Sequence, residues 1–255
     1  MGLTPLWCLR DRLRRREQAP AAASQASFAS ADRPRADALA PQPSPEAPEA
    51  PEAREARIAA LDWATLKAAV RNCRDCGLRA GCRQTVFGVG DEQARWFVVG
   101  EAPGAEEDRL GEAFVGQAGK LLDAMLAAIG LRRGEDVYIA NVLKCRPPGN
   151  RDPEPGEIAT CAPYLARQLA LVQPRLVLAL GRFAAQTLLG TDAPLGRLRG
   201  TVWRYRGVPL VVTYHPAYLL RNLADKARAW QDLVLARRTM AALSARKDEP
   251  GRAAP

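Results

Sequence analysis

Short apolar runs alternate with amphipathic stretches along most of the chain. Runs such as WFVV and LVLAL are typical of strands buried on both faces, whereas apolar residues at every third or fourth position are typical of helices packed on a sheet. The pattern predicts strands at residues 96–99, 137–143, 176–180, 202–206 and 208–213. It predicts helices at residues 61–70, 116–129, 157–172, 182–189 and 224–243.

This alternation predicts an α/β fold of three layers, α/β/α, with a short, mainly parallel central sheet. In sheets of this kind, binding sites form in the loops at the carboxyl ends of the strands. Three loops follow predicted strands directly, at residues 100–104, 144–151 and 215–221. We therefore expect these loops to gather along one rim of the sheet.

Composition divides the chain into three parts. Residues 19–57 are rich in Pro, Ala, Ser and Glu, and Phe28 is their one aromatic residue. Such a segment buries too little apolar surface to offset the entropy lost on ordering, so we expect residues 1–57 to be a disordered extension. Residues 3–16 are compatible with a short basic helix. Residues 58–245 are the expected folded domain, and residues 246–255 a flexible tail.

The net charge of +9 lies mostly in the expected folded domain and its tail. Residues 58–255 hold 28 Lys and Arg against 20 Asp and Glu, whereas residues 1–57 are nearly neutral. A basic domain suits a polyanionic partner such as nucleic acid. A GC-rich genome, which favours Arg and Ala codons, accounts for the same composition, so charge alone leaves both explanations open.

No apolar run is long enough to cross a bilayer, and basic residues follow the first short apolar patch, which is the wrong order for a signal peptide. We therefore expect no membrane partner, and a monomer located in the bacterial cytoplasm.

Four cysteines have a spacing typical of a metal centre. Cys73 and Cys76 form a C-x-x-C pair, and Cys145 and Cys161 follow far downstream. Four thiolates suit an iron–sulfur cluster or a zinc ion equally well, and the spacing does not separate the two. Disulfides are the weaker interpretation, because a reducing cytosol does not preserve them.

His215 is the only histidine in the chain. It follows the apolar run VPLVVTY and precedes a proline, so it leaves a strand end on the predicted rim. A lone histidine is usually structural. On a rim, however, a neutral imidazole can donate a hydrogen bond to a developing anion.

Taken together, these segments resemble the family 4, or iron–sulfur, uracil-DNA glycosylases. The resemblance extends from Cys73 to about residue 230, and its motifs occur in the same order as in the family. They are TVFGVG at 85–90, GEAPG at 100–104, AFVGQAGKLL at 113–122, NVLKCRPPGNRDP at 141–153 and HPAYLLR at 215–221. The resemblance implies a uracil-DNA glycosylase-like fold and a uracil-containing DNA substrate, single- or double-stranded. It also implies that uracil is excised to leave an abasic site.

The resemblance also implies a [4Fe-4S] cluster held by Cys73, Cys76, Cys145 and Cys161, and it favours iron over zinc. Cys8 and Cys82 have no place in the family pattern.

The resemblance assigns uracil contacts to six residues, which are Gly100, Ala102, Gly104, Glu107, Phe114 and Asn141. Phe114 would stack on a base taken out of the helix, and the Asn141 amide would distinguish uracil from cytosine, whose pairing edge is reversed. His215 matches the position that contacts a pyrimidine carbonyl. Another branch of the superfamily has Asp where this chain has Ala102, so the water-activating role falls to Glu101 or Asn150.

The segment HPAYLLR resembles the part of the family that enters the duplex, so Leu219, Leu220 and Arg221 are expected to fill the gap left by the base. A helix N-terminus packed on the sheet is the structural alternative. Basic residues near the rim are expected to contact phosphates; they are Lys144, Arg146, Arg151, Arg197, Arg199, Arg204 and Arg206.

Two rival functions remain from other classes. The GEAPG loop could cradle a nucleotide phosphate, but it lacks the Lys-Ser/Thr of a P-loop and the third glycine of a dinucleotide fingerprint. A non-catalytic DNA-binding or electron-transfer protein would account for the cysteines and the charge, but not for Phe114, Asn141 and His215 together.

Overall fold

The structure is a computed structural model that describes residues 50–245. Its helices, named in chain order, are α1 (Pro51–Ala59), α2 (Trp63–Asn72), α3 (Leu78–Gly81), α4 (Ala105–Leu110), α5 (Gln117–Ala128), α6 (Pro155–Val172), α7 (Gly181–Leu189), α8 (Leu195–Leu198), α9 (Pro216–Arg221) and α10 (Lys226–Ala245). Its strands are β1 (Val89–Gly90), β2 (Trp96–Gly100), β3 (Val137–Asn141), β4 (Leu176–Leu180), β5 (Val202–Tyr205) and β6 (Val208–Thr213).

The strands form one mixed sheet in the order β1-β3-β2-β4-β6-β5. The four inner strands are parallel, and the two edge strands are antiparallel to their neighbours. β5 and β6 form a hairpin around Gly207, whose φ of +86° suits a residue without a Cβ. The mainly parallel sheet predicted from the apolar runs is confirmed.

The two faces of the sheet bury different side chains. On β2, Phe97 and Val99 belong to one core, while Trp96 and Val98 belong to the other. The first core includes residues of α6 and α7, and the second includes residues of α5 and α10. This alternation follows from the two-residue period of a strand, and it produces the expected three layers.

The expected end of the disordered extension at residue 57 is wrong, because helix α1 already begins at Pro51. Pro51 stands at its N-terminus, where the missing N–H costs no hydrogen bond, and Ile58 is fully buried. Nη2 of Arg54 donates to the Thr160 carbonyl on α6. The folded part therefore begins several residues earlier than composition suggested. The rest of the extension, its short basic helix and the tail at 246–255 lie outside the described residues.

Other boundaries differ by a few residues. Helix α2 begins at Trp63 because Asp62 caps it, with the Thr65 N–H donating to Oδ1 at 2.8 Å. Strand β3 ends at Asn141 rather than at 143, so Lys144 lies just beyond it. Between residues 50 and 245, no helix combines the length and the apolar character needed to cross a membrane.

Candidate active site

A cleft of about 660 Å³ lies at the carboxyl ends of the parallel strands. All three predicted rim loops contribute to its lining. The sequence-predicted residues that line it are Glu101, Ala102, Gly104, Glu107, Phe114, Asn141, Asn150, Arg151, His215 and Arg221. The expectation that strand-end loops meet at one rim is confirmed.

Gly100 leaves room for the two side chains predicted to bind the base. It pairs with Asn141 in the register of β2 and β3. A Cβ at residue 100 would overlap the Asn141 Oδ1 and would lie 2.5 Å from Cζ of Phe114. Any larger residue at position 100 would therefore displace both side chains.

Asn141 has a buried acceptor without a partner. Its side chain is 1% exposed, and Oδ1 accepts no hydrogen bond within the described part of the chain. Buried polar atoms are nearly always paired, because an unpaired one costs about 1–3 kcal/mol. The atom borders the cleft, so a ligand with an N–H group can satisfy it.

Phe114 is held in an uncommon backbone conformation. Its φ is +56°, and its ring is 5% exposed. Nη1 and Nη2 of Arg133 donate to the carbonyls of Ala113 and Phe114, each at 2.7 Å. Gly119 is needed on the other side, because a Cβ there would overlap the Phe114 carbonyl. Arg133 was missed by the sequence analysis, since no local pattern connects it to Phe114.

His215 faces Phe114 across the cleft, with ring centroids 5.6 Å apart. Its Nδ1 accepts from the Ala217 N–H at 3.2 Å and caps α9, so the ring proton is assigned to Nε2. Burial lowers the pKa of His215 to about 4; Glu107 opposes this shift and Arg221 adds to it. The imidazole is therefore neutral near pH 7 and retains one N–H donor, for which the described residues provide no acceptor.

Gly181 determines how close α7 can approach this histidine. Its φ is +85°, and a Cβ there would lie 2.9 Å from that of His215. Both observations require glycine at the start of α7.

Glu107 holds two cleft loops together. One carboxylate oxygen accepts from the Gly104 N–H at 3.1 Å, and the other accepts from the N–H groups of Val115 and Gly116, both at 2.9 Å. The carboxylate therefore connects the GEAPG loop to the turn that carries Phe114. It lines the cleft, but these bonds give it a structural task besides any contact with a base.

Glu101 and Asn150 also line the cleft. Burial raises the pKa of Glu101 to about 7; Asp152 raises it further, while Arg182 opposes the shift. Asn150 ends a 3-10 turn with a φ of +56°, and its Oδ1 accepts from Nε of Arg146 at 2.7 Å. Arg146, expected to contact phosphate, thus also orients Asn150.

The four metal-centre cysteines line one narrow cavity, with Val70, Leu78 and Tyr164 among its other walls. All four thiols are free. Burial raises the pKa of the Cys73, Cys145 and Cys161 thiols, that of Cys161 to about 12. Within residues 50–245, no three His, Cys, Asp or Glu side chains are arranged to hold a single metal ion.

The loop between Cys73 and Cys76 is fixed from outside. The Tyr164 hydroxyl donates to Asp75 at 2.9 Å, and Arg54 of α1 forms an ion pair with the same carboxylate at 3.6 Å. The Lys144 N–H donates to Sγ of Cys161 at 3.3 Å. The four cysteines are therefore buried or partly buried around one cavity, and Cys161 already accepts a backbone hydrogen bond, which fits a thiolate-ligated group. Cys82 is buried nearby, whereas Cys8 lies outside the described residues.

The sequence profile of the uracil DNA glycosylase superfamily matches residues 87–234, a range that includes every strand of the sheet. The chain belongs to this superfamily.

Three relatives specify the branch. The chain is 49% identical to the type-4 uracil-DNA glycosylase of Archaeoglobus fulgidus over 159 residues, 59% of this chain and 79% of that protein. It is 41% identical to the type-4 enzyme of Pyrobaculum aerophilum over 183 residues, 69% of this chain and 93% of that protein. It is 42% identical to that of Thermotoga maritima over 161 residues, 62% of this chain and 83% of that protein. The family 4 resemblance inferred from the motifs is confirmed.

Leu219 was expected to enter the duplex, and the structure shows that this expectation is wrong. Leu219 is 1% exposed and packs in the core formed with α5 and α10. It therefore cannot enter a base stack. Leu220, at 43% exposure, and the exposed Arg221 remain available on the same helix.

The expectation that Arg199 contacts phosphate is also wrong. The Arg199 Nε donates to the buried carboxylate of Asp232 at 2.7 Å, Nη2 donates to the Arg228 carbonyl, and the guanidinium stacks on the Tyr214 ring at 4.2 Å. With 11% of its side chain exposed, Arg199 joins α10 to the strand-end loop. Charge in the sequence did not separate this structural arginine from free ones. Lys144, another expected phosphate contact, is corrected too, because it is 2% exposed.

Proposed function

We propose that this protein excises uracil from DNA by hydrolysing the N-glycosidic bond, which leaves an abasic site and begins base excision repair. The observation that carries the proposal is the buried, unpartnered Oδ1 of Asn141, which borders a cleft that also holds Phe114 and the donor of His215. The similarity to proteins named type-4 uracil-DNA glycosylases supports the same reaction.

Recognition would depend on the pairing edge of the base. Oδ1 of Asn141 accepts from the ring N–H of uracil, and the amide NH₂ donates to the neighbouring carbonyl. Cytosine presents an acceptor and an amine at these positions, so the same amide would leave both pairs mismatched. The Phe114 ring supplies the stacking surface for the extruded base.

Bond cleavage would leave negative charge on the uracil ring. The neutral imidazole of His215 donates from Nε2 to the carbonyl that gains this charge, and burial strengthens such a bond. Backbone N–H groups of the GEAPG loop, at Gly100 and Ala102, would assist in holding the base, whereas that of Gly104 is already bonded to Glu107.

Water would be held on the Glu101 side of the cleft. The pKa of Glu101, raised by burial to about 7, keeps a substantial fraction ionised at neutral pH, so it can accept a proton from water. The Asn150 amide oxygen is already bonded to Arg146, which leaves its NH₂ group to help orient the same water.

Duplex DNA would contact the exposed face of α9. Leu220 and Arg221 suit the gap left by the base, because one is apolar and the other carries a charge for phosphate. Arg146 adds positive charge at the rim. These contacts position the strand without selecting its sequence.

A [4Fe-4S] cluster is the group that would occupy the cysteine cavity, held by Cys73, Cys76, Cys145 and Cys161. When bound, it supplies a covalent cross-link of structural rather than redox character. The chain's own residues then hold the C-x-x-C loop against the segment after β3, close to the recognition residue Asn141.

Cleavage of uracil-containing oligonucleotides tests the proposed function. Substrates with U opposite G, U opposite A and single-stranded U are incubated with the protein and treated with alkali, beside matched strands with T or C. Strand breaks only at uracil are expected. His215→Ala should lower single-turnover excision by about 10²-fold, the scale for losing one oxyanion donor. Absence of abasic product from all three uracil substrates would favour the rival functions.

A further inference from the structure

Lys144 has a buried ammonium group in this domain. The residue is 2% exposed and lies just past the end of β3. Its Nζ donates to the carbonyl oxygen of Asn141 at 2.8 Å and to Oε1 of Gln168 at 2.6 Å. Lysine is rarely buried, and the described residues provide no carboxylate within ion-pair distance.

The side chain of Gln168 is itself held by burial and by further hydrogen bonds. It is fully buried on α6, and its Nε2 donates to the Phe87 carbonyl at 2.9 Å and lies 3.4 Å from the Tyr138 hydroxyl. The Lys144 ammonium therefore ties the backbone of Asn141 to a rigid part of the core.

The backbone of Lys144 makes a contact at the cysteine cavity. Its N–H donates to Sγ of Cys161, which lies on α6 about two turns before Gln168. One residue thus contacts α6 twice, through its main chain at a proposed cluster ligand and through its side chain at Gln168. Lys144 also lines the cysteine cavity.

We infer that Lys144 is a positioning residue for base recognition: its ammonium fixes the main chain of Asn141 and mechanically joins that residue to the cysteine cavity. The inference rests on the proposed function. The side chain of Asn141 makes no bond of its own at Oδ1, so its direction depends on how firmly its main chain is held.

Lys144→Met tests the inference, because methionine fills a similar volume without a donor. Inhibition of excision by free uracil and affinity for abasic-site product DNA are measured on the iron-loaded protein, with exposed Lys67→Met as the control. The uracil inhibition constant should rise by roughly tenfold, the scale of one charged hydrogen bond, while DNA affinity stays within about twofold.

A double-mutant cycle with Asn141→Ala separates positioning from general loosening. If Lys144 acts through Asn141, Lys144→Met should add less than about twofold to the loss in single-turnover excision already caused by Asn141→Ala. Additive losses, or an unchanged uracil inhibition constant in Lys144→Met, would overturn the inference.

Gln168→Met serves if Lys144→Met does not fold. It removes one of the two acceptors and should raise the uracil inhibition constant in the same direction by a smaller factor; no change would also overturn the inference. A wild-type protein that fails to excise uracil refutes the proposed function, whereas an active wild type with a wild-type-like Lys144→Met refutes only the role of Lys144.

Discussion

Nη2 of Arg133 donates to the Phe114 carbonyl at 2.7 Å and so supports the stacking ring from behind its main chain. The second donor of the same guanidinium binds Ala113, and Asp123 holds its Nε at 3.0 Å. Phe114 has a positive φ, which a side chain adopts only when its surroundings impose it. The stacking surface is therefore maintained by a residue that lies outside every motif.

Replacing Arg133 should relax this conformation. Arg133→Met is expected to lower single-turnover uracil excision by about tenfold, since it leaves two backbone carbonyls without their donors. Arg132→Met is the matched control, because Arg132 is exposed and, among the described residues, its side chain pairs with Glu135 alone. Equal rates for the two variants would contradict the supporting role of Arg133.

Asn141→Asp should weaken recognition of uracil. A carboxylate accepts from the ring N–H but cannot donate to the carbonyl, so excision of uracil should fall by at least about tenfold. Cytosine offers an amine to that carboxylate, so some cytosine excision is expected. Rates on matched U and C substrates measure both effects.

Phe114→Ala provides the comparison within the same pocket. It should lose roughly 1–3 kcal/mol of stacking without any gain on cytosine. If either variant excised uracil at the wild-type rate, the pocket assignment would be wrong.

The pH dependence of kcat/KM should report Glu101 rather than His215. Burial raises the pKa of Glu101 to about 7, so the ionised carboxylate, and with it the rate, should increase as pH rises through 7. The pKa of His215, lowered by burial to about 4, keeps the imidazole neutral across that range, so it contributes no step between pH 5 and 8.

Glu101→Gln should abolish the rise with pH, and the remaining activity should be nearly flat between pH 5 and 8. A rise of the same size in Glu101→Gln would assign the titration to another group.

Neighbouring leucines on α9 should behave in opposite ways. Leu219→Ala should destabilise the fold by about 2–5 kcal/mol, because it opens a cavity in the core. Leu220→Ala should change stability by less than about 0.5 kcal/mol, as expected of an exposed side chain. Thermal or denaturant unfolding measures this difference.

Excision from duplex DNA should instead be affected more by the change at Leu220 than by the change at Leu219, provided that the variants are folded. Leu220→Ala and Arg221→Ala should lose excision from duplex substrates while largely retaining it on single strands, which leave no gap to fill. Equal losses on both substrates would indicate a role other than duplex entry.

The proposed cluster predicts the colour and metal content of the protein. The purified protein should be brown and contain about four irons. Cys145→Ser should lose the colour and become poorly soluble, whereas Cys82→Ser should keep both. Iron analysis and visible absorption check this, and a colourless, zinc-containing, fully active preparation would contradict the assignment.

The two-residue strand β1 forms no apolar run and was not predicted. The sequence predicted β2, β3 and β4 well because their apolar runs are unbroken, and each of these parallel strands is buried along its full length. It missed α1, whose Pro- and Glu-rich composition is typical of disorder, because the anchors Ile58 and Arg54 act only through contacts with distant residues.

The position of a residue in the cleft was predictable where a motif carries it, as at Asn141 and His215. It was not predictable where a partner lies far along the chain. Arg199 and Leu219 have the residue types of DNA contacts, yet Asp232 and the core determine what they do. Arg133 and Gln168 carry no local signal at all.

The order of the cysteines along the chain imposes an order on biosynthesis. Cys73 and Cys76 precede β1, whereas Cys145 and Cys161 follow β3. At about 5–20 residues per second, the ribosome makes the second pair several seconds after the first. During that interval the proposed cluster would lack two of its four ligands, while β1, β2 and β3 are being made. Assembly of the proposed cluster could therefore be completed only after α6, which carries Cys161, has been made.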